Sequence, residues 1–215
     1  MIFEEFAQKL FSELKKELPG FSAQNQMAPA GRKPTDDYLN RDISPKKSAV
    51  LILIYPGAEA PAIQIILIIR AENEKGNHSG QISFPGGGFD VSDVHLSETA
   101  LREAEEEIGI DRKTITIIGE LSPVYIPVSN YHVLPFVGIC NQTPVFKKYT
   151  PEVSGLLEVD INEFLSDRNK TTSEIFLKSR NARMNVPCYN IGGEIIWGAT
   201  AMILAEFSEM IRRIK

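Results

Sequence analysis

Apolar residues recur at Phe3, Phe6, Leu10, Phe11, Leu14 and Leu18, spaced three and four apart, and predict an amphipathic helix stopped by Pro19-Gly20. Pro19, Pro29, Pro34 and Pro45 then punctuate a stretch with few apolar runs, which reads as an irregular arm over residues 19–47 that connects the helix to the core and is long enough to have a role. The pattern changes at Ala49–Tyr55 and Ile63–Ile69, dense β-branched runs separated by a loop from Pro56 to Pro61, so two buried strands are expected. Ile82-Ser83-Phe84 predicts a short strand with Phe84 in the core, broken by Pro85-Gly86-Gly87-Gly88.

Ser97 reads as the N-cap of a helix that runs to Ile108 and stops at Gly109. Further strands are expected at Thr114–Glu120, His132–Ile139, Ile175–Leu177 and Val186–Ile191, with a short helix at Ile161–Leu165 and a final helix from Trp197 to Ile211. No repeat or low-complexity tract interrupts this alternation, which predicts an α/β (α+β) sandwich with a mixed β-sheet flanked by helices. Two segments are expected: an N-terminal helix and arm over residues 1–47, and one globular domain over residues 48–215.

Composition narrows the function classes. The 23 Lys and Arg against 28 Asp and Glu give a formal charge of −5, which argues against a surface that coats nucleic acid. The apolar runs are far shorter than the 18 or so residues that span a bilayer, so no membrane anchor is expected. Acids stand near the amino terminus where a leader would carry bases, and Cys140 and Cys188 lack metal or redox spacing; a cytoplasmic protein with two core cysteines is the expectation.

The chemistry concentrates in Arg102-Glu103-Ala104-Glu105-Glu106-Glu107-Ile108-Gly109-Ile110. At about 100° per residue, Glu103, Glu106 and Glu107 share one flank of a helix, while Ala100, Leu101, Ala104 and Ile108 form a separate apolar stripe that fixes it against a sheet. Like charges at these spacings cost a few tenths of a kcal/mol each. A hard divalent cation would compensate. By itself a glutamate run is more simply a solvated acidic face, but here a Gly86-Gly87-Gly88 turn, able to bring backbone close to a ligand, precedes the helix.

Residues 102–110 match at every position the second half of the Nudix box, Arg-Glu-apolar-x-Glu-Glu-x-Gly-apolar, and the chain resembles the Nudix hydrolases there. The first half departs from the usual spacing. Counted from Gly88, Val94 stands where a supporting Glu is usual; counted from Gly87, Asp93 does, with one extra residue before Arg102. The turn itself, Gly86-Gly87-x-x-Asp90-x-x-Asp93, is similar to the coenzyme A diphosphatase branch, as are Arg70-Ala71, the run from His78 and Gln81 to Gly87, the segment Tyr125–Asn130, Glu152-Val153 and Ile196–Ala201.

This resemblance implies a Nudix-type fold and hydrolysis of the diphosphate bond of coenzyme A or its derivatives to 3′,5′-ADP and (acyl-)4′-phosphopantetheine, with Mg2+ or Mn2+. It implies that Glu103, Glu107 and the Gly87 carbonyl hold the metal, that Glu106 supplies another metal ligand or helps to orient water, and that Arg102 orients the acids. The general base would be a box glutamate or Glu152. Arg70, His78, Gln81, Ser129 and Asn130 would meet the substrate. A homodimer is implied only by analogy.

Other readings remain open: ADP-ribose, a nucleotide sugar or another nucleoside diphosphate derivative as substrate; a nucleotide-binding module without catalysis; or an isoprenoid diphosphate isomerase, which would need a catalytic cysteine. Trp197 reads as a packing residue, and Met27-Ala28-Pro29 with Arg32 as exposed linker.

Overall fold

The computed structural model describes residues 2–39, 44–59, 61–72, 80–148, 150–177 and 181–215. Strand β1 (Lys46–Pro56) is its axis: it pairs in parallel with β7 (Tyr131–Ile139) and antiparallel with both β2 (Ile63–Arg70) and the short β4 (Gly86–Gly88). Among the described residues the sheet runs β3-β2-β1-β7-β5, with β3 at Ile82–Ser83 and β5 at Thr116–Glu120. Strands β6 (Val124–Ile126) and β8 (Val153–Asp160) pair with β7 and β2. A second sheet is formed by β9 (Lys170–Leu177), β10 (Ala182–Ile191) and β11 (Glu194–Trp197).

The period-two alternation of β1 splits the core into two layers. Ala49, Leu51, Leu53 and Tyr55 point to one face, where Ala100, Ala104 and Ile108 of helix α4 (Leu96–Ile108) cover them. Ile52 and Ile54 point to the other, against Ala201, Leu204, Phe207 and Ile211 of the C-terminal helix, which spans Gly198–Ile214. Helix α1 (Phe3–Glu13) adds Phe6 and Leu10, both fully buried, to that second layer. Burying such side chains stabilises the fold by about 1.5–3 kcal/mol each. The predicted mixed sheet flanked by helices is the observed architecture.

Several expectations need correction. Helix α1 ends at Glu13 rather than Leu18, because the Lys16 N–H bonds the Glu13 carbonyl at 2.9 Å and tightens the last turn. The stretch taken as an irregular linker holds α2 (Gly20–Gln24), a 3-10 turn at Asn25–Met27 and α3 (Thr35–Leu39), and Ala23, Met27 and Ala28 are buried. Its anchor is Glu206, fully buried in the C-terminal helix. That carboxylate accepts the Gly20 N–H (3.1 Å), the Gln24 Nε2–H (2.8 Å) and the Ser122 N–H (3.2 Å). A long-range polar clasp of this kind leaves no periodic signal in the arm.

Helix α4 is capped at His95, not Ser97, and Glu98 in its first turn reaches back to accept the Val94 N–H at 2.9 Å. Trp197 closes β11 and caps the C-terminal helix rather than opening it. Strands β6, β8 and β11 carry no predicted counterpart, and Gly86–Gly88, expected as a break and a turn, is a strand laid on β1. The short helix at Ile161–Leu165, α5, and the Gly109 stop, left-handed at φ 68°, fall where the sequence places them. The C-terminal helix is α6. No helix among the described residues is long and apolar enough to cross a membrane.

Candidate active site

Strand β4 lies against the acidic flank of α4, and two glycines make that approach possible. An alanine methyl at Gly86, whose φ is +155°, would sit 2.3 Å from the Ala49 carbonyl oxygen. One at Gly87 would sit 2.4 Å from Cδ of Glu103. The Glu103 carboxylate is therefore pressed onto bare backbone. Glu107, buried at 4% exposure, accepts the Gly86 N–H through Oε2 at 2.9 Å. The apolar stripe of α4 thus fixes the helix, and the glycine strand fixes the two acids.

Arg102 holds the opposite edge. Its Nε and Nη2 donate to Oδ1 and Oδ2 of Asp93, both at 3.0 Å, while Nη2 also donates to the Gly88 carbonyl (3.2 Å) and Nη1 to Oε1 of Glu103 (2.8 Å). Asp93 accepts a third bond from Thr99 Oγ1 at 2.8 Å, and these partners hold its carboxyl well below the usual range. Of the two possible alignments of the turn, the geometry selects Asp93 as the supporting acid. Val94 is 71% exposed and supports nothing. Glu106 is the exposed member of the acidic flank, its Oε2 3.5 Å from Arg102 Nη1.

Glu103, Glu106, Glu107, Gly87, Glu152, Arg70, Gln81 and Ser129 all line one cavity of about 1370 Å3. Burial pushes the Glu107 carboxyl up to about 7; the Gly86 N–H and Arg70, whose Nη1 is 4.0 Å from Oε1, pull the other way, and the charges of Glu103 and Glu152 raise it further. Burial also raises Glu103, against the pull of Arg102. Arg70 is positioned by the β2–β8 pairing and by its N–H on the Gln81 carbonyl at 3.0 Å. Glu152 is anchored beside β2 by its carbonyl, which accepts the Ala71 N–H at 2.7 Å.

Not every expected residue arrives. Asn130 is not among the cavity-lining residues. At φ 55° it is a turn residue whose Oδ1 accepts Tyr125 OH (2.9 Å) and whose Nδ2 donates to the Ser44 carbonyl (3.2 Å). Arg102 is likewise set behind the acids rather than on the cavity wall. His78 lies outside the described residues. Cys140 and Cys188 are both buried and neither lines the cavity, so the arrangement offers no thiol for isomerase chemistry.

Sequence reasoning missed other cavity residues. Trp197, read as packing, lines the wall beside Thr200, Met202 and Ile203, and Arg32 and Tyr38 close the cavity from the arm that was read as exposed linker. A usable signal existed for Trp197 and Thr200, since Ile196–Ala201 is one of the segments of family resemblance. None existed for the arm.

A wall of acids that runs from the buried Glu107 to the exposed Glu106, with the Arg70 guanidinium facing Glu107, suits a cation-assisted reaction on an anionic substrate. The comparisons with known proteins agree. The NUDIX domain model matches residues 45–177. Proteins named "Uncharacterized Nudix hydrolase NudL" in Yersinia pestis and Yersinia pseudotuberculosis are each 35% identical over 166 residues, covering 77% of this chain and 80% of theirs. The crystal structure of a MutT/nudix family protein from Enterococcus faecalis superposes with a TM-score of 0.50 at 13% identity, over 85% of this chain and 70% of that one. The chain belongs to the Nudix hydrolase family. It is an enzyme of the pyrophosphohydrolase kind, a class that generally uses divalent metal ions on nucleoside diphosphate derivatives.

The residues present fit such an ion. Carboxylate oxygens are the donors a hard cation takes, and Glu107 is a buried acid whose nearest cation, Arg70, stands 4.0 Å away while two further acids face it. No three His, Cys, Asp or Glu side chains among the described residues are drawn into a closed cluster.

Proposed function

We propose that this enzyme hydrolyses the diphosphate bond of coenzyme A or its derivatives, releasing 3′,5′-ADP and (acyl-)4′-phosphopantetheine, with Mg2+ or Mn2+. The observation that carries the reading is the meeting of two separate motifs in one cavity. Arg70 and Gln81, from the coenzyme A-like segment, line the same wall as Gly87 and the carboxylates of the box helix.

Glu103, Glu106, Glu107 and the Gly87 carbonyl would hold the metal, which when bound neutralises diphosphate oxygens and acidifies a water. The chain's own residues do the rest. Arg102, locked on Asp93, keeps Glu103 turned toward the glycine strand. Arg70 supplies the cation that a diphosphate oxygen can reach from the β2 side. The proton of the attacking water passes to a carboxylate, either a box glutamate or Glu152, both of which line the cavity.

A chromatographic product assay tests this, with coenzyme A, ADP-ribose and a nucleotide sugar, each with Mg2+ or Mn2+, beside a Glu107→Gln control. The expected result is 3′,5′-ADP from coenzyme A with the wild-type enzyme alone. Cleavage of another diphosphate with coenzyme A left intact would overturn the substrate assignment and leave the family chemistry standing.

A further inference from the structure

Arg32 stands in the arm, outside the residues 45–177 matched by the family model, and yet lines the same cavity as the box carboxylates. Its guanidinium is held in place: Nη2 donates to the Tyr125 carbonyl, and Cζ lies 5.3 Å from the centroid of the Tyr38 ring, which itself packs on Tyr125 at 5.2 Å. Thr35 fastens this corner, its Oγ1 donating to the Pro123 carbonyl (2.9 Å) and accepting the Tyr125 N–H (3.2 Å).

The placement is costly for a cation. Arg32 is half-buried, its Nε is enclosed without a hydrogen-bond partner, and it forms no ion pair with an acid among the described residues. Burial lowers its pKa, but a guanidinium stays charged at any working pH. The other cavity arginine, Arg70, faces Glu107. Arg32 faces aromatic rings and carbonyl, so its charge and spare donors are left for something that enters the cavity.

We infer that Arg32, backed by Tyr38, is a binding residue for a second anionic group of the substrate, a phosphomonoester carried in addition to the diphosphate that is cut. The inference rests on the proposed function, since it takes the diphosphate to lie at the carboxylate end and asks what the same molecule presents at the arm. A planar fork with free N–H groups suits a dianionic phosphate oxygen pair, and the aromatic backing keeps the guanidinium from turning to solvent. The arm is therefore a specificity element, and the Glu206 clasp that seats it acts on substrate choice through position.

The test compares ligand pairs that differ only in that phosphate. Binding of adenosine 3′,5′-bisphosphate and of 5′-AMP is measured by calorimetry on wild type, Arg32→Gln and Arg32→Lys, and kcat and KM are measured for coenzyme A and for the same compound lacking its 3′-phosphate. Wild type is expected to favour the phosphorylated member by about tenfold or more, through KM rather than kcat. Arg32→Gln is expected to erase that preference by weakening only the phosphorylated ligand, and Arg32→Lys to restore part of it.

Equal weakening of both members in Arg32→Gln would make Arg32 a structural anchor of the arm and overturn the inference. So would a wild type that binds both members alike. Failure of wild type to hydrolyse coenzyme A, with an Arg32-dependent preference for the bisphosphate intact, would instead count against the substrate reading and leave the Arg32 site in place.

Discussion

Replacing Glu107 by Gln should make the metal-free protein more stable while removing its turnover. The carboxyl is 4% exposed, and burial lifts it from its ordinary 4.5 to about 7. Between those values the folded state binds more protons than the unfolded state, so the fold loses stability as pH rises through that window. At about 1.4 kcal/mol per pH unit, the loss by pH 8 is about 3 kcal/mol. A glutamine keeps an oxygen for the Gly86 N–H and carries no charge, though its amide N–H groups enter beside Arg70 and return part of the gain.

The net expectation for Glu107→Gln at pH 8 in chelator is a gain of about 1–3 kcal/mol, or about 4–8 °C in melting temperature for a gain near 2 kcal/mol in a chain of this size. The difference should nearly vanish at pH 4, where the wild-type carboxyl is protonated in the folded state. Excess Mn2+ at pH 8 should raise the wild-type melting temperature and leave the variant near its metal-free value. Turnover should fall about 100-fold or more. Urea and thermal melts at pH 4, 6 and 8, with and without metal, measure all of this. A variant no more stable than wild type at pH 8, with parallel pH profiles, would refute the claim that burial loads this carboxyl.

Gly87→Ala should keep the fold by circular dichroism and lose about 100-fold in kcat, because the new methyl displaces the Glu103 carboxylate; an unchanged kcat would show that Glu103 works from elsewhere. Arg102→Lys, which cannot grip Asp93 and Glu103 together, should cost about 3 kcal/mol in urea unfolding at pH 7. Asp93 is held below its ordinary range in the fold, so the stability this pair contributes is present at neutral pH and is lost as pH falls below about 4; the lysine variant should show a shallower acid transition. Arg70→Ala should raise KM and shift the acid limb of the pH–rate profile to higher pH, since Arg70 favours the charged form of Glu107; an unmoved profile would disconnect the two. Glu206→Ala should cost about 3 kcal/mol by stranding the Gly20, Gln24 and Ser122 donors, measured by thermal melting.

The sequence by itself determined the elements whose signal is local. The stripe of α4 repeats every 3.6 residues, and β1 and β2 are dense β-branched runs bounded by a Pro- and Gly-containing loop. The separation of the box glutamates from that stripe follows from the same geometry, so the sequence alone places the acidic flank. A sheet flanked by helices also follows from the order of these elements, whereas the parallel pairing of β1 with β7 does not.

Tertiary structure decided what depends on partners distant in the chain. Strands β6 (3 residues) and β11 (4 residues) are too short to show a period, and β8, though 8 residues long, is mostly part-exposed and carries no regular alternation. The choice of Asp93 over Val94 required the position of Arg102 in space, not a count of residues. Asn130 looked like a substrate contact until its turn conformation and its bond to Tyr125 were visible. The arm is the largest difference: a proline-spaced, polar stretch has no local reason to be ordered. It is ordered because a buried carboxylate 186 residues away, Glu206, accepts the Gly20 N–H and brings Arg32 to the cavity wall. Hydrogen bonds of that reach are fixed by the packed fold and leave no mark on the sequence around them.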